Sequence, residues 1–522
     1  MHGIDRRRAG RSLVTRLPIL VASVALVSTA IAGPAEVTDV VAVSETSSSP
    51  LGRCRDGPEQ GTKFLNSEVE PQVAVDPTDP ARIAVAYQQD RWSNGGARGV
   101  VTAISNDGGS SWQEIVRTKT SFCTGGRVRN GGDFERATDP WVTFTPNGRL
   151  YLMTLSLNQS DTDHAMLVTK FKEKRGRWGK PTALIRESPA NFLNDKNSMT
   201  ADPNEPDGSH VYAVWDRVGL AKSRTSNPAG APRLGVRGPT LFARTTNGGR
   251  TWEPARVVLD TGTWTQTLAN QIVVSPDLDD GVNEGQLVNA FMLIHNLRRQ
   301  HSVAVIHSFD QGETWSDPTV VDRSFARGVI DPDPDSDRLD AIRAGTLIPD
   351  VAVDPATGNL YAVRQDSRFN DFDYDGIVFS QSTDGGMTWS SPTEINKTPD
   401  VSPVLNRQAF TPTVEVAADG TIGVTYYDFR SNTADLTTLE TDYWIVHCHP
   451  TSPTRCTNAS GWDESGPVGG SFDMKAAPYA RGYFTGDYQG LAATTAGFIA
   501  IFSRGISTAD PATVHAGLVS AP

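Results

Sequence analysis

The sequence predicts an all-β protein assembled from repeated antiparallel units of four strands. One observation is an eight-residue pattern that occurs four times, at 105–112, 245–252, 308–315 and 382–389. A second is a regular spacing of tryptophans along most of the chain. The third is a series of short β-branched and aromatic runs bounded by Gly, Pro and Asp, which are typical of strands rather than helices. Together these observations indicate a repeat architecture built from β-sheet.

The eight-residue pattern has the residues of a hairpin tip. In the copy at 382–389, the Asp384 side chain can accept hydrogen bonds from the backbone that follows it, and Gly386 can adopt a positive φ. Trp389 then begins the return strand with a large apolar face. The pattern resembles the Asp box of sialidase-type β-propellers, in which each box closes a hairpin on the outer half of a blade. The resemblance implies a single β-propeller of four-stranded antiparallel blades over residues 63–522.

The tryptophan spacing gives the length of the repeat. Six of these residues lie 63 to 74 positions apart: Trp112, Trp178, Trp252, Trp315, Trp389 and Trp462. Trp178 and Trp462 belong to degenerate copies of the pattern. Three more strands follow Trp462, so we expect a last blade completed by a strand from the amino end, near Lys63 to Leu65. This count favours seven blades, and six, the number in sialidases, stays open if one irregular unit is not a blade.

The amino end predicts export. Arginines precede an apolar run from Leu17 to Ile31, and Ala30-Ile31-Ala32 matches a cleavage signal, so residues 1–32 are predicted to be a signal peptide. A membrane anchor is the alternative, but the run is shorter than the ~20 residues that a span needs. We therefore expect a secreted, extracellular protein with no membrane span after signal removal. Residues 33–62, rich in Ser, Thr, Gly and Pro, are predicted to be a flexible lead-in.

The composition and net charge limit the classes of molecule that the protein is expected to bind. The 522 residues include 47 Gly and 33 Pro, and only 21% are charged, as in a soluble, turn-rich globular protein. A net charge of −12 argues against a nucleic-acid partner. We expect a monomer whose partner is a glycan or glycoconjugate substrate.

The four cysteines suggest two disulfides, because an exported chain with an even number of cysteines commonly pairs them. Cys448 with Cys456 would close a hairpin, and Cys54 with Cys123 would tie the lead-in to the first blade. The cluster His447-Cys448-His449 leaves a metal site as an alternative, although the usual paired spacing of zinc ligands is missing.

Candidate binding residues follow the second strand of successive blades. These loops are rich in Arg and Asp: Asp90-Arg91, Asp216-Arg217, Arg298-Arg299, Asp366-Ser367-Arg368, Asp428-Phe429-Arg430 and Ser503-Arg504. Loops at the same point of each blade should face a common mouth near the axis. Several guanidinium groups there would require an anionic ligand or neighbouring carboxylates, and Arg binds a carboxylate in bidentate fashion. The alternative is that each Asp–Arg pair is a local salt bridge at a strand end.

Loops that enter the innermost strands add further candidates: Asp133, Glu135, Arg136, Asp139, Asn194, Asp195, Lys196, Arg407, Gln408, Asp487 and Tyr488. Sialidases use a Tyr nucleophile activated by a Glu, because the anomeric carbon of sialic acid already carries a carboxylate. The resemblance therefore implies Asp90, Glu135 and Tyr488 as catalytic residues. It implies a substrate-binding set of arginines: Arg91, Arg136, Arg368, Arg407 and Arg430. No Phe/Tyr-Arg-Ile-Pro motif is present, so Arg91 or Arg136 must take the place of the family's first Arg.

Two acidic runs are candidate metal ligands. Asp371, Asp373 and Asp375 precede Gly376 as in the opening of a calcium loop, but Ser382 stands where a bidentate Glu is expected. A second run comprises Asp331, Asp333, Asp335 and Asp337. Solvated acidic loops are the alternative for both. We expect no cofactor to be required, with structural calcium as an open alternative.

The function predicted from these features is hydrolysis of an anionic carbohydrate by a secreted glycoside hydrolase, and most specifically by an exo-α-sialidase. A non-catalytic propeller that binds a carbohydrate or a protein is the alternative from another class. Hydrolysis or eliminative cleavage of another polysaccharide is a third possibility, because the same architecture can carry other side chains.

Overall fold

A computed structural model describes residues 37, 40–44, 48–55, 61–189, 191–219, 237–278, 285–296, 298, 300–333 and 341–520. The predicted signal peptide, Asp335, Asp337 and Arg299 lie outside the described residues. From residue 35 onward the chain forms one compact unit. This unit is all-β and almost entirely antiparallel, as predicted.

The strands group by their pairing into seven units of four, which we number in chain order. Unit 1 comprises Glu68–Asp76, Asp79–Arg91, Ala97–Ser105 and Gln113–Ile115, and unit 2 comprises Arg136–Phe144, Leu150–Leu157, His164–Lys172 and Thr182–Glu187. Unit 3 comprises Phe192–Ala201, Val211–Gly219, Thr240–Thr245 and Arg256–Leu259, and unit 4 comprises Thr265–Val274, Leu287–His295, Gln300–Ser308 and Thr319–Ser324. Unit 5 comprises Asp350–Val353, Leu360–Asp366, Gly376–Ser382 and Thr393–Glu394, and unit 6 comprises Ala409–Val416, Ile422–Asp428, Glu440–Cys448 and Asp463–Pro467. Unit 7 comprises Gly490–Thr494, Gly497–Arg504, Thr513–Ser520 and Val41–Ala42.

Short elements lie outside these units. They are the strands Arg177–Trp178, Arg237–Gly238, Val329–Ile330, Ala341–Ile342 and Phe472–Asp473, and the 3₁₀ turns Val128–Asn130, Glu173–Arg175, Val404–Arg407, Ala459–Gly461 and Met474–Ala476. None of the helical turns in the described chain is long and apolar enough to cross a membrane.

The units form a closed ring. The first strand of each unit contacts the first strand of the next, and Gly490–Thr494 of unit 7 contacts Glu68–Asp76 of unit 1. Apolar side chains of adjacent units pack together between the sheets, as where Phe379 of unit 5 meets the buried Trp462 of unit 6 at 5.0 Å between ring centroids. A ring of twisted sheets that bury their faces against one another is a β-propeller.

A strand from the amino end completes unit 7, but it is not the predicted one. Val41 and Ala42 pair with Ala516 and His515, whereas Lys63 forms an isolated bridge with Trp92 of unit 1. Part of the predicted lead-in therefore belongs to the sheet. Its turn at 48–55 is also packed, because the Leu51 side chain is buried.

Both predicted disulfides are present. Cys54–Cys123 links the amino-terminal segment to the loop after unit 1, and Cys448–Cys456 closes the hairpin between the last two strands of unit 6. Because Cys448 is bonded to Cys456, its sulfur is not a free thiolate for a metal, and the alternative of a metal site at residues 447–449 is excluded.

The four copies of the eight-residue pattern form the same turn between the third and fourth strands of units 1, 3, 4 and 5. In unit 1 the Ser105 hydroxyl accepts from the N–H of Gly109 at 2.9 Å, and Asp107 Oδ1 accepts from the N–H of Ser111 at 2.9 Å. The matching bonds in the other three turns are 2.7–3.0 Å long. These turns, here called the Asp-box turns, all lie on one side of the ring.

Candidate functional site

A cavity of about 690 Å³ opens on the side of the ring opposite the Asp-box turns. Its walls come from loops that follow the second strand of units 1 and 2, and from the beginnings of the innermost strands. Two irregular segments between units, at 342–348 and at 481 and 487, complete it. Because strands alternate in direction, these loops share one side, as the sequence predicted for the functional face.

Backbone bulges place charged side chains in the centre of the ring. Glu70, Asp139 and Lys196 lie at equivalent points of units 1, 2 and 3, with φ angles of 54°, 49° and 30°. At each of them the register of the innermost strand shifts against its partner. A bulge re-aims a side chain, and left-handed backbone at non-glycine residues is rare and concentrated at functional sites. All three residues line the cavity.

Two carboxyl pairs lie at the base of the cavity. Glu70 Oε1 accepts from the backbone N–H of Asp487 at 3.4 Å, and the charge of Asp195 makes ionisation of Asp139 harder. Negative charges this close disfavour ionisation of both members, so such pairs keep a proton more readily than isolated carboxyl groups do.

The two carboxyl groups of the first pair, Glu70 and Asp487, have different surroundings, and their pKa values shift in opposite directions. Burial, and then the Asp487 carboxylate, raise the pKa of Glu70 to about 7. Burial also opposes ionisation of Asp487, but the Arg343 guanidinium holds the pKa of that carboxyl below its usual range. Arg343 Nε lies 3.0 Å from Asp487 Oδ1. Glu70 is thus the proton carrier and Asp487 the carboxylate.

The second pair is uniformly harder to ionise. Burial, and then Glu70, raise the pKa of Asp139 well above its usual range, and burial raises the pKa of Asp195. Lys196 follows Asp195 in the chain, and burial lowers the pKa of its ammonium group. The charge of Lys196 favours ionisation of Asp139, and the charge of Arg343 favours ionisation of Asp195.

Tyr488 lies beneath this cluster. Its hydroxyl donates to the Pro140 carbonyl at 3.3 Å, and the Lys196 ammonium lies 3.9 Å from the centre of its ring. Burial, and then the negative charge of Glu70, raise the pKa of the phenol well above 10. Tyr488 is only 7% exposed and is not among the residues that line the cavity.

Three arginines from different parts of the chain line the cavity: Arg91, Arg343 and Arg481. Arg91 is 2% exposed, donates to Gln88 Oε1 at 2.7 Å, and leaves its Nε without a hydrogen-bond partner among the described residues. Burial and the nearby Arg343 lower its pKa to about 10, which still leaves it charged near neutral pH. The cavity can therefore hold an anionic group.

Apolar side chains also line the cavity, and seven of them are leucine or isoleucine: Leu155, Leu157, Leu193, Leu268, Ile342, Leu347 and Ile348. A cavity lined by both charged and apolar side chains fits a ligand that carries an acid group on a larger carbon skeleton.

Of the three predicted catalytic residues, Tyr488 lies beneath the charged cluster, whereas Asp90 and Glu135 lie elsewhere. Asp90 is buried in a separate network, where it binds Arg98 at 2.9 Å and accepts from Ser49 at 2.7 Å. Glu135 accepts from the N–H groups of Gln159 and Ser160 at 2.7 and 3.0 Å, so it orders a loop at the cavity rim. Neither of them lines the cavity.

Among the predicted arginines, Arg91 alone lines the cavity. Arg136 donates to Asn94 and to the Gly95 carbonyl next to it, at 2.7 and 2.6 Å. The other three form salt bridges: Arg368 with Asp366 at 2.9 Å, Arg407 with Asp400 at 2.9 Å, and Arg430 with Asp428 at 2.6 Å. Those of Arg368 and Arg430 are the local strand-end pairs that were the alternative interpretation. The cationic tips of units 5 and 6 therefore do not reach the common mouth.

The acidic run at 371–375 does not form a metal site. Asp375 is buried and accepts from the N–H groups of Arg327 and Gly328, both at 2.9 Å, whereas Asp371 and Asp373 are exposed. In the second run, Asp331 binds Lys475 at 3.0 Å. Within the described part of the chain, no three His, Cys, Asp or Glu side chains are grouped as metal ligands would be.

Sequence reasoning missed Glu70, Arg343 and Arg481. Glu70 lies inside a run that has the pattern of a strand, and a bulge leaves no clear signal in the residue pattern. Arg343 and Arg481 come from segments outside the repeat, so periodicity could not place them. Asp139, Asp195, Lys196 and Asp487 were recognised as loop residues near the innermost strands, but not as one cluster.

Comparison with known proteins finds distant structural likenesses. No family model and no curated protein matches the sequence. A protein of unknown function from Dyadobacter fermentans is 14% identical over 74% of this chain and 95% of its own, with a TM-score of 0.40. A Hadza microbial sialidase is 13% identical over 92% and 96%, with a TM-score of 0.40. An α-L-arabinofuranosidase from Fusarium graminearum is 12% identical over 74% and 93%, with a TM-score of 0.40. Likenesses at this level transfer no function, so function has to be inferred from the cavity itself.

Proposed function

We propose that this protein is a secreted glycoside hydrolase that acts on an anionic carbohydrate. The observation that supports it most is the Glu70–Asp487 pair, one acid and one carboxylate, beside Arg91 and Arg343 at the base of the cavity. Glycoside hydrolysis needs a proton donor for the leaving oxygen and a second group that acts on the anomeric carbon. The two predicted disulfides and the absence of a membrane-spanning helix in the described residues agree with an extracellular location.

Glu70 is the proposed general acid. A carboxyl group with a pKa of about 7 remains largely protonated at mildly acidic pH and can still release its proton near neutrality. The neighbouring Asp487 carboxylate is held ionised by Arg343. The Asp139–Asp195 pair, whose pKa values are also raised, is the second proton reservoir of the cavity.

The arginines are the proposed binding site for the acid group of the substrate. Arg343 is already paired with Asp487, whereas Arg91 has an unbonded Nε and Arg481 is exposed at the wall. Neither Arg91 nor Arg481 forms a direct ion pair with a buried carboxylate among the described residues. A substrate carboxylate between them would therefore neutralise their charge.

Exo-α-sialidase activity is the specific form of this proposal. Tyr488 would be the nucleophile: its hydroxyl oxygen would bond to the anomeric carbon as the bond to the leaving oxygen breaks. Glu70 would give its proton to that leaving oxygen, and the Asp487 carboxylate, in place of Glu135, would take the Tyr488 proton. The Lys196 ammonium over the ring would stabilise the negative charge that develops on the phenol oxygen as its proton leaves. A neutral nucleophile suits an anomeric carbon that already bears a carboxylate, because an anionic one would be repelled.

One observation favours a non-catalytic carbohydrate-binding protein instead. The Tyr488 hydroxyl is bonded to the Pro140 carbonyl, and the residue does not line the cavity. A substrate can reach it only if Lys196 or the bulge at Asp139 shifts. A protein that binds the glycan through the arginines alone would need no such shift.

The test is turnover of fluorogenic glycosides by the purified full-length protein between pH 4 and 8. A 4-methylumbelliferyl sialoside tests the specific form, and the matching glucuronide and galacturonide test the general one. The general proposal is supported if the wild type releases the fluorophore and Glu70→Gln does not. The specific proposal is supported if release from the sialoside is also lost in Tyr488→Phe. Glycan binding that persists in both variants without any turnover would replace it with the binding function.

A further inference from the structure

Many arginines of this protein are matched by carboxylates. Eight examples lie within 3.3 Å of an Asp or Glu oxygen: Arg82, Arg98, Arg186, Arg217, Arg244, Arg256, Arg368 and Arg430. In a chain with a net charge of −12, such matching is easily achieved. A continuous group of cations that lacks it is therefore a candidate binding surface for an anion.

Such a group lies along the outer part of units 1 to 3, away from the cavity. We call it the basic stripe, and it comprises seven residues: Arg117, Lys119, Arg149, Lys170, Lys172, Arg177 and Arg250. Within the described ranges none of the seven forms an ion pair with a carboxylate. Their hydrogen bonds go to backbone carbonyls instead, as from Lys119 Nζ to Trp178 and Gly179 at 2.6 and 2.9 Å.

The stripe is continuous. Lys119 is close enough to Arg117 and Arg177 that, after burial, their charges lower the pKa of its ammonium group. Arg177 pairs in register with Lys172 across a short hairpin. Burial, and then Arg149, Lys172 and Arg250, lower the pKa of Lys170 to about 8. Each cation therefore adjoins the next, from the loop after unit 1 to the Asp-box turn of unit 3.

The carboxylate nearest in sequence does not neutralise the stripe. Glu173 lies between Lys172 and Lys174, but its two oxygens are each 2.7 Å from Arg82. Lys174 and Arg175 are exposed beside it and add to the positive charge. Adjacent like charges repel one another, and a bound anion would offset that repulsion.

We propose that the basic stripe binds an extended anionic polysaccharide. A row of cations fits a chain with regularly spaced carboxylates or sulfates, and the stripe as described holds no exposed large apolar side chain of the kind that enters a lipid surface. The stripe shares no residue with the cavity, so a bound polymer leaves the cavity mouth open. The inference rests on the proposed function only in choosing a glycan as the polyanion, and it makes the stripe an anchor for polymeric substrate.

The test compares three proteins for binding to dextran sulfate and polygalacturonate, with neutral dextran as the blank. One is the wild type, and the second is Arg117→Glu/Lys172→Glu/Arg177→Glu, whose three side chains are exposed and donate no hydrogen bond to any described residue. The third is Arg323→Glu/Lys397→Glu/Arg455→Glu, which changes the net charge equally on units 4 to 6. Circular dichroism confirms that all three are folded.

The wild type and the control variant are expected to bind both polyanions, with a Kd that rises steeply between 50 and 300 mM NaCl because exposed charges are screened. The stripe variant is expected to bind at least about tenfold more weakly, since three favourable contacts of about 1 kcal/mol become repulsive. Equal binding by the stripe and control variants overturns the proposal. So does wild-type binding to vesicles containing phosphatidylglycerol but to neither polysaccharide.

Turnover of a small fluorogenic glycoside is measured in the same preparations. It is expected to be unchanged in the stripe variant. Failure of the proposed hydrolase function would appear as no turnover in any of the three proteins, whereas failure of the anchor would appear as unimpaired polymer binding in the stripe variant. The two outcomes are therefore distinguishable.

Discussion

The two sides of the ring are built by opposite means. The Asp-box side repeats one local turn four times, with the same hydrogen bonds at nearly the same lengths. The cavity side is assembled from residues that lie far apart in the chain and partly outside the repeat, such as Glu70, Arg343 and Asp487. Repetition thus defines the scaffold, and the departures from repetition create the site.

The contrast extends to how charges are used. On the strand ends of units 5 and 6, Arg430 binds Asp428 and Glu464 and stacks 3.6 Å above the Trp444 ring, so its bonds are complete. In the cavity, Arg91 Nε has no hydrogen-bond partner among the described residues, and burial raises the pKa of Glu70 and of Asp139. Satisfied groups stabilise the fold, whereas incompletely satisfied ones can bind and react.

The strongest test of this contrast replaces Glu70. The Glu70→Gln variant keeps the shape of the side chain but removes the transferable proton, so kcat should fall about 10²- to 10⁴-fold on any glycoside that the protein hydrolyses. Glu135→Gln is the control, since Glu135 binds a rim loop and is expected to leave kcat near the wild-type value. A comparable loss in both variants would place the reaction at the rim instead.

The second test removes Arg343. In Arg343→Met the Asp487 carboxylate loses its buried partner, and we expect a loss of about 2–3 kcal/mol in the free energy of unfolding at pH 7, below the full value for a sealed pair because 26% of the Arg343 side chain is exposed. The Asp487 pKa is lowered in the fold, so this stabilisation is present above the unfolded pKa and is lost as pH falls through the folded one. Urea titrations at pH 7 and pH 3 should show the difference between variant and wild type shrink.

Arg430→Met is the matched control for that variant. It also breaks a buried ion pair, so a similar loss of stability is expected, but glycoside turnover by the folded protein should persist. Loss of turnover in Arg430→Met and its retention in Arg343→Met would reverse the assignment of the two arginines.

Sequence reasoning succeeded where structure is local. The Asp-box turns, the antiparallel strands and the Cys448–Cys456 disulfide each depend on residues close in the chain or on a repeated pattern, and all were predicted. The Cys54–Cys123 disulfide joins residues 69 positions apart and was predicted from the even number of cysteines. The site depends on where a bulge points Glu70 and on how an insertion carries Arg343 toward Asp487, 144 residues away. Neither is encoded in a short pattern. For Arg368 and Arg430, predicted to bind substrate, the structure shows the alternative interpretation, because each pairs with the Asp two residues before it and neither lines the cavity.

A third prediction tests the scaffold side through two glycines. Gly312 has a φ of +90°, and a Cβ there would lie 2.5 Å from the Phe242 ring of the preceding unit, so Gly312→Ala should destabilise the protein by about 2–3 kcal/mol. Gly108 has a φ of +71°, but a Cβ added to it would have no described atom within 4 Å, and Gln311 occupies the equivalent position in another turn with a φ of 57°. Gly108→Ala should therefore cost only about 1 kcal/mol. Chemical denaturation checks both, and equal losses would show that backbone strain, rather than packing between units, limits the turn.

The smallest expected effect is a difference in how the stability contributed by an innermost strand and by an Asp-box turn depends on pH. Burial raises the pKa of Glu415, on the innermost strand of unit 6, to about 7 from an ordinary value near 4.5, so its contribution to stability is present at low pH and is lost as pH rises through 7. In the Asp-box turn of unit 1, hydrogen bonds from Ser111 lower the pKa of Asp107 to about 2, so its contribution is present above pH 4 and is lost only in strong acid.

The Tm of Glu415→Gln should fall less than that of the wild type between pH 5 and 8. Asp107→Asn should follow the wild type over the same range, because Asn247 forms the same turn in unit 3 and Asp107 does not titrate there. A wild-type Tm that does not decline from pH 5 to 8 would contradict the raised pKa values of the buried carboxyl groups.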